Sequence, residues 1–116
     1  MIKIRRLLKE DFTTVKLFIS NNNEGFKDFF ELGWNINNIK IQFQKTNNFS
    51  LGCFLDNKLT AILIGGLIIN NELFELEIYI LYVDNKFRRK NIGSSYFNHI
   101  ISNKNLYKIS KIYVEV

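Results

Sequence analysis

Two polar dipeptides, Asp56-Asn57 and Asn70-Asn71, each sit between long apolar stretches, and they constrain this chain more than any other feature. Two-residue loops of this composition join neighbouring antiparallel strands, because Asn and Asp tolerate the left-handed backbone that such turns require. The stretches 49–55, 58–69 and 72–83 are therefore expected to form three consecutive strands of an antiparallel meander. The Gly65-Gly66 pair inside the long middle strand predicts a bulge or a close backbone approach.

The flanks of the meander read differently. Residues 2–7 alternate in polarity and predict a first strand. Phe12, Val15, Phe18 and Ile19 then recur at helical spacing, behind the acidic residues Glu10 and Asp11. Asn21-Asn22-Asn23 ends that helix. Phe26, Phe29 and Phe30 mark a second helical stretch, broken near Gly33, and a short third begins at Asn35 with Ile36, Ile39 and Phe43 on one face. Thr46-Asn47-Asn48 closes it. After the meander comes a basic loop, 84–91, and then a helix, 92–102, with Tyr96, Phe97, Ile100 and Ile101 as its buried face. A final strand is expected at 111–116. The fold class is α/β (α+β), a mixed sheet in the order β-α-α-β-β-β-α-β, with the last two strands as parallel neighbours.

Composition removes several classes. At 116 residues the chain has room for one domain, 1–116. One cysteine excludes a disulfide scaffold, and the longest apolar stretch, 59–69, is too short to cross a bilayer. The charged start has no apolar signal segment behind it, so a cytoplasmic location is expected. No cluster of His and Cys suggests a metal site. Cys53 reads as a small core residue, and His99, opposite Phe97 and Ile101, as a solvated one. The net charge of +5 raises anionic ligands and nucleic acid as partners. Nucleic acid is disfavoured. Its candidate contacts, Lys86, Arg88, Arg89 and Lys90 with Phe87, sit in one loop without an aromatic platform.

The chemistry is concentrated where strand 72–83 runs through the basic loop into the helix that opens at Gly93-Ser94. The first turn of a helix carries unpaired N–H groups and the positive end of the dipole, so a phosphate is bound there by the backbone itself. Gly93 has no side chain to hold an anion away, and Asn91 is the non-glycine residue best suited to a left-handed backbone. Arg88, Arg89 and Lys90 add charge. The segment lacks the three glycines of a dinucleotide fingerprint and the Gly-Lys-Ser/Thr ending of a nucleoside-triphosphate loop.

The strand Tyr79-Ile80-Leu81-Tyr82-Val83, then Asp84, then Arg88-x-x-Asn91-x-Gly93 and an amphipathic helix resembles the acetyl-CoA-binding core of the GNAT family of N-acetyltransferases, whose motif is Gln/Arg-x-x-Gly-x-Gly/Ala. Within that family the likeness is greatest to bacterial ribosomal-protein-alanine N-acetyltransferases. The resemblance implies transfer of an acetyl group from acetyl-CoA to an amine, with a protein N-terminal α-amine, ribosomal-protein-like, as the expected acceptor. It implies that the backbone of Leu81, Tyr82 and Val83 pairs with the pantetheine arm. Arg88, Arg89, Lys90, Asn91, Ile92, Gly93, Ser94 and Ser95 would hold the pyrophosphate. Asn91 departs from the glycine preferred there.

The resemblance also implies a base. Glu115 matches the catalytic glutamate of the ribosomal-protein enzymes, and Glu77 stands where many other members carry theirs. At period two, Glu77, Tyr79, Leu81 and Val83 are expected on one face. Trp34, between the helices that border the acceptor groove, is a candidate acceptor contact, although a core position with Phe29 and Phe30 is the plainer expectation. Family members continue past the position of Glu115 with a further helix and two strands, which usually bring a Tyr that protonates the leaving thiolate. The resemblance therefore implies a C-terminally incomplete domain with an exposed last strand suited to a homodimer. A catalytically impaired CoA-binding remnant is the alternative.

Overall fold

The computed structural model describes residues 2–88 and 91–114. Five strands form one sheet in the order β1-β2-β3-β4-β5, namely Ile2–Leu7, Ser50–Leu55, Lys58–Asn70, Leu73–Val83 and Ile109–Val114. The first three pairings are antiparallel and β4 with β5 is parallel, so the expected mixed sheet is present. Helices α1 (Phe12–Asn21), α2 (Lys27–Glu31) and α3 (Ile36–Gln44) lie between β1 and β2. Helices α4 (Ile92–Ser102) and α5 (Lys104–Tyr107) form the crossover from β4 to β5.

Each helix has a local cause. Asp11 accepts the Leu8 N–H at 2.9 Å and takes both Arg5 guanidinium nitrogens at 3.1 Å, which fixes the entry to α1. The Asn35 side chain caps α3 by accepting the Asn38 N–H at 2.8 Å. Gly33, at φ +97°, supplies the left-handed residue between α2 and α3. Val15, Phe18 and Ile19 of α1 join Ile39 and Phe43 of α3 in a core against Ile62, Ile64, Ile80 and Tyr82 on one face of the sheet. Ile92, Tyr96 and Ile100, four residues apart along α4, pack with Leu51, Cys53, Ala61, Leu63, Leu76 and Ile78 on the other.

Five expectations about the helices, a turn and His99 are corrected. Three full helices precede β2, so the third stretch from Asn35 is an element that the simple order omitted. The second hairpin turn is Asn71-Glu72, at φ 51° and 72°, one residue later than expected, because Asn70 pairs with Leu73 as the last rung of the ladder. On α4, Ile101 is 60% exposed, since Ile92, Tyr96 and Ile100 define the buried stripe and Ile101 is rotated off it. An additional short helix, α5, follows the stop at Asn103, whose side chain takes the His99 carbonyl at 2.8 Å. His99 is accordingly half-buried, with Nε2 2.9 Å from the Tyr107 hydroxyl, and is not a solvated surface histidine. Burial pushes its pKa down.

Candidate active site

β4 does two different things along its length. From Phe74 to Ile78 it pairs with β3 on one side and with β5 on the other. Between Ile64↔Ile80 and Gly65↔Ile78 the register shifts, and Tyr79 is the extra residue. This is a bulge in β4, placed opposite the glycine pair as the sequence suggested. Gly65 is required there: a Cβ would sit 2.5 Å from the Glu77 carbonyl oxygen.

Past the bulge, β4 keeps its partner β3, while among the described residues the pairing with β5 stops at Ile78↔Val114. Among the described residues no strand pairs with 80–83 on the β5 side, which leaves an open edge there. Asp84 donates its N–H to the Thr60 carbonyl of β3 at 2.9 Å. Backbone direction alternates along a strand, so Tyr82 also faces β3, and Leu81 and Val83 turn their N–H and C=O groups to the open side. The Val83 carbonyl is taken there by Arg88 Nε at 3.1 Å.

The bulge also reverses the side-chain phase. Leu76 and Ile78 lie in the α4-side core, which places Glu77 between them on the opposite face. Tyr79 and Ile80 both pack on the α1–α3 side, and Leu81 and Val83 pack on the α4 side. Glu77 and Tyr79 therefore do not share a face with Leu81 and Val83, contrary to strict alternation. Trp34 stacks on Tyr79 with ring centroids 5.0 Å apart and an interplanar angle of 27°. It borders a groove of about 400 Å³ with Leu32, Asn38, Gln42 and Lys45. Trp34 is partly buried, joining core and groove at once, whereas Phe29 and Phe30 pack against Phe26.

The strand ends in a turn held by Asp84, whose carboxylate accepts the Lys86 N–H at 3.0 Å. The Arg88 guanidinium lies 5.2 Å from the Tyr82 ring centroid. Asn91 is left-handed, at φ 56° and ψ 33°, and starts α4 without any side-chain cap. Its carbonyl receives the Ser95 N–H and the Ser95 hydroxyl, each at 3.0 Å. Among the described residues nothing lies within 4 Å of where a Cβ on Gly93 would sit, and its backbone is an ordinary helical one. Glycine there is explained neither by strain nor by crowding within the chain. It leaves the space above an uncapped helix N-terminus open. Ile92 is the buried anchor of that turn, and Ser94 is exposed. Arg89, Lys90 and Glu115 lie outside the described residues.

A family model described as "Acetyltransferase (GNAT) family" matches residues 3–116. The chain belongs to the GNAT acetyltransferase family. Among solved structures it is similar to a ribosomal-protein-alanine N-acetyltransferase from Brucella melitensis biovar Abortus 2308, at 15% identity and TM-score 0.77, covering 99% of this chain and 79% of that one. It is similar also to an aminoglycoside acetyltransferase from an uncultured soil metagenomic sample, at 20% identity and TM-score 0.73, covering 99% and 77%. A possible acetyltransferase from Clostridium difficile 630 gives 20% identity and TM-score 0.76, with 100% and 80% covered. A search of curated proteins gives no significant match. At these identities the structural likenesses show a shared fold, and acetyl-CoA is the general acetyl donor of the family.

Other features of this GNAT domain were not legible in advance. Tyr82 is buried against Phe18 and Phe26, under Gly25, where a Cβ would meet its hydroxyl at 1.9 Å. The ring that seats Arg88 is thereby fixed by the α1–α2 connection. Gln42, 3% exposed, donates from Nε2 to the Gly65 carbonyl at 2.9 Å. Its only advance signal is a polar residue beside Ile39 and Phe43 on the buried stripe of α3. Cys53 is fully buried and burial pushes its thiol pKa up, which fits a packing role. Among the described residues no group of three or more His, Cys, Asp or Glu could hold a metal. No described helix is long and apolar enough to cross a membrane.

Proposed function

We propose that this GNAT domain transfers the acetyl group of acetyl-CoA to a primary amine, with a protein N-terminal α-amine as acceptor. The observation that carries the reading is the open half of β4 leading directly into an uncapped helix N-terminus. An extended amide arm and a phosphate group have their two backbone partners there in one continuous path. Bound acetyl-CoA supplies an activated thioester.

Leu81 offers an outward N–H and C=O and Val83 an outward N–H to the pantetheine arm, with Arg88 on the Val83 carbonyl and Tyr82 holding the strand between them. Arg88 and the amides of Asn91, Ile92, Gly93 and Ser94 suit the pyrophosphate, the Ser95 N–H being spent on the Asn91 carbonyl, and Arg89 and Lys90 add charge. Asn91 gives the left-handed turn that the family makes with glycine. Glu115, or Glu77 on the neighbouring strand, takes the proton from the amine before attack. A peptide α-amine, with a pKa of about 7.7–8.0, is partly neutral near pH 7 and asks less of that base than a lysine-type amine near 10.4.

Calorimetric titration tests the reading with acetyl-CoA against a short oligonucleotide. Acetyl-CoA binding alone is the expected result, and oligonucleotide binding alone would replace the reading with a nucleic-acid one. Turnover on a peptide bearing a free N-terminus, on a peptide with only a lysine amine, and on an aminoglycoside then identifies the acceptor. The N-terminal peptide is expected to be the best substrate. Preference for the aminoglycoside would overturn the acceptor assignment.

A further inference from the structure

The register shift that opens β4 falls beside two adjacent glycines, so glycine alone does not choose between them. Gly65 is selected by its carbonyl, which accepts two hydrogen bonds: Phe49 N–H at 3.0 Å and Gln42 Nε2 at 2.9 Å. Gly66 is approached by the same helix, since a Cβ there would lie 3.2 Å from Gln42 Nε2, 3.2 Å from Asn47 Nδ2 and 3.0 Å from the Tyr79 hydroxyl. Asn47 completes the anchorage. Its carbonyl receives the Leu67 N–H at 2.9 Å, and its Nδ2 donates to the Leu67 carbonyl at 3.2 Å.

The lower half of β3 is thus tied to α3 and to the segment that follows it. That half pairs with residues 73–78 of β4, which pair in turn with β5. Glu77 lies on it, and Glu115 follows β5 directly in sequence. The open half, residues 79–83, is held separately by Ala61–Ile64 pairing and by the two cores.

We propose that Gln42 is a positioning residue for acetyl transfer: its bond to the Gly65 carbonyl fixes the β4 bulge at Tyr79, and so sets the half-strand that carries Glu77, with β5 beside it, against the half-strand that takes acetyl-CoA. The proposal rests on the transferase reading. The bond matters because the Gln42 amide is itself buried and would be costly to leave without the Gly65 carbonyl, and because bulge migration to Gly66 would shift Glu77 while leaving 80–83 in place. A misplacement of about 1 Å can cost roughly 10²-fold in rate.

The test compares Gln42→Met and Gln42→Glu with Gln44→Met, an exposed control on the same helix. Acetyl-CoA affinity and stoichiometry are measured by calorimetry, and kcat is expressed per acetyl-CoA site so that unfolded protein is discounted. For both Gln42 variants the affinity is expected to stay within a few-fold of wild type while kcat per site falls by about 10–100-fold. Cross-strand NOEs between Gly65 and Ile78, present in wild type, are expected to weaken or move to Gly66. Unchanged NOEs with unchanged kcat per site would overturn the proposal and leave Gln42 a packing residue.

A wild-type chain that does not bind acetyl-CoA would sink the transferase reading while the NOE comparison still decides the lock. Should neither variant fold, hydrogen exchange on the wild type decides. Phe49 N–H, which shares the Gly65 carbonyl, is expected to exchange only through global unfolding, and exchange through local opening would contradict the lock.

Discussion

The two halves of β4 belong to one continuous strand and have different fates. Residues 73–78 are enclosed between β3 and β5, and their backbone groups are spent within the sheet. Among the described residues 80–83 pair only with β3 and turn the backbone of Leu81 and Val83 to the other side, with Arg88 on the Val83 carbonyl. One extra residue, Tyr79, separates a segment paired on both sides from the one to which we assign acetyl-CoA.

The sharpest way to break this comparison is to remove the chemistry and leave both halves intact. Glu115→Gln is expected to lower single-turnover acetylation of a peptide amine by roughly 10²–10⁴-fold, the usual worth of a general base, with acetyl-CoA affinity unchanged. A larger loss in Glu77→Gln would move the base to the enclosed half of β4. Next in size is the helix N-terminus. Gly93→Glu places a carboxylate in the open space above α4 and removes charge-assisted phosphate contacts worth about 1.5–3 kcal/mol, so acetyl-CoA affinity should fall by about 10–100-fold. Undiminished binding would put the site elsewhere.

Paired glycine substitutions then separate the halves. Gly65→Ala forces a Cβ to 2.5 Å from the Glu77 carbonyl in the enclosed half, and Gly25→Ala forces one to 1.9 Å from the Tyr82 hydroxyl in the open half. Each should cost about 1–3 kcal/mol by overpacking, read as a lower denaturation midpoint. Gly65→Ala should also lower kcat, and Gly25→Ala should instead weaken acetyl-CoA binding by unseating Arg88. The same effect from both would mean that the halves are not independent.

Much of the sheet was legible because its signals are local. Asp56-Asn57 and Gly65-Gly66 announce a turn and a bulge by the backbone conformations they permit, and Asn91 announces the left-handed entry to α4. The phase of Glu77 relative to Leu81 was not legible, since a bulge inverts alternation only once its position is known. The roles of Gln42 and Asn47 were hidden for a related reason. A polar residue shows its buried partner only when a distant strand arrives beside it, and Asn47 read as a mere helix stop.

The smallest expected effect concerns pH and helix α4. Burial lowers the pKa of His99, so its neutral form is the one that fits beside Tyr107. The unfolded chain then binds the proton more readily than the folded one. Stability should fall as pH drops through the ordinary value of 6.5, and level off below the folded-state pKa. Thermal denaturation between pH 8 and 5 should show this dip in the wild type and less of it in His99→Gln. An identical profile in both would assign the dip to other groups.

The central claim is that acetyl-CoA lies along the open half of β4 and ends on the first turn of α4. Amide chemical-shift mapping during an acetyl-CoA titration tests it most directly. The account expects large shifts at Leu81, Val83 and residues 91–95, with small ones at residues 74–77. Shifts concentrated in the enclosed half, or none at Leu81 and Val83 at saturation, would contradict it.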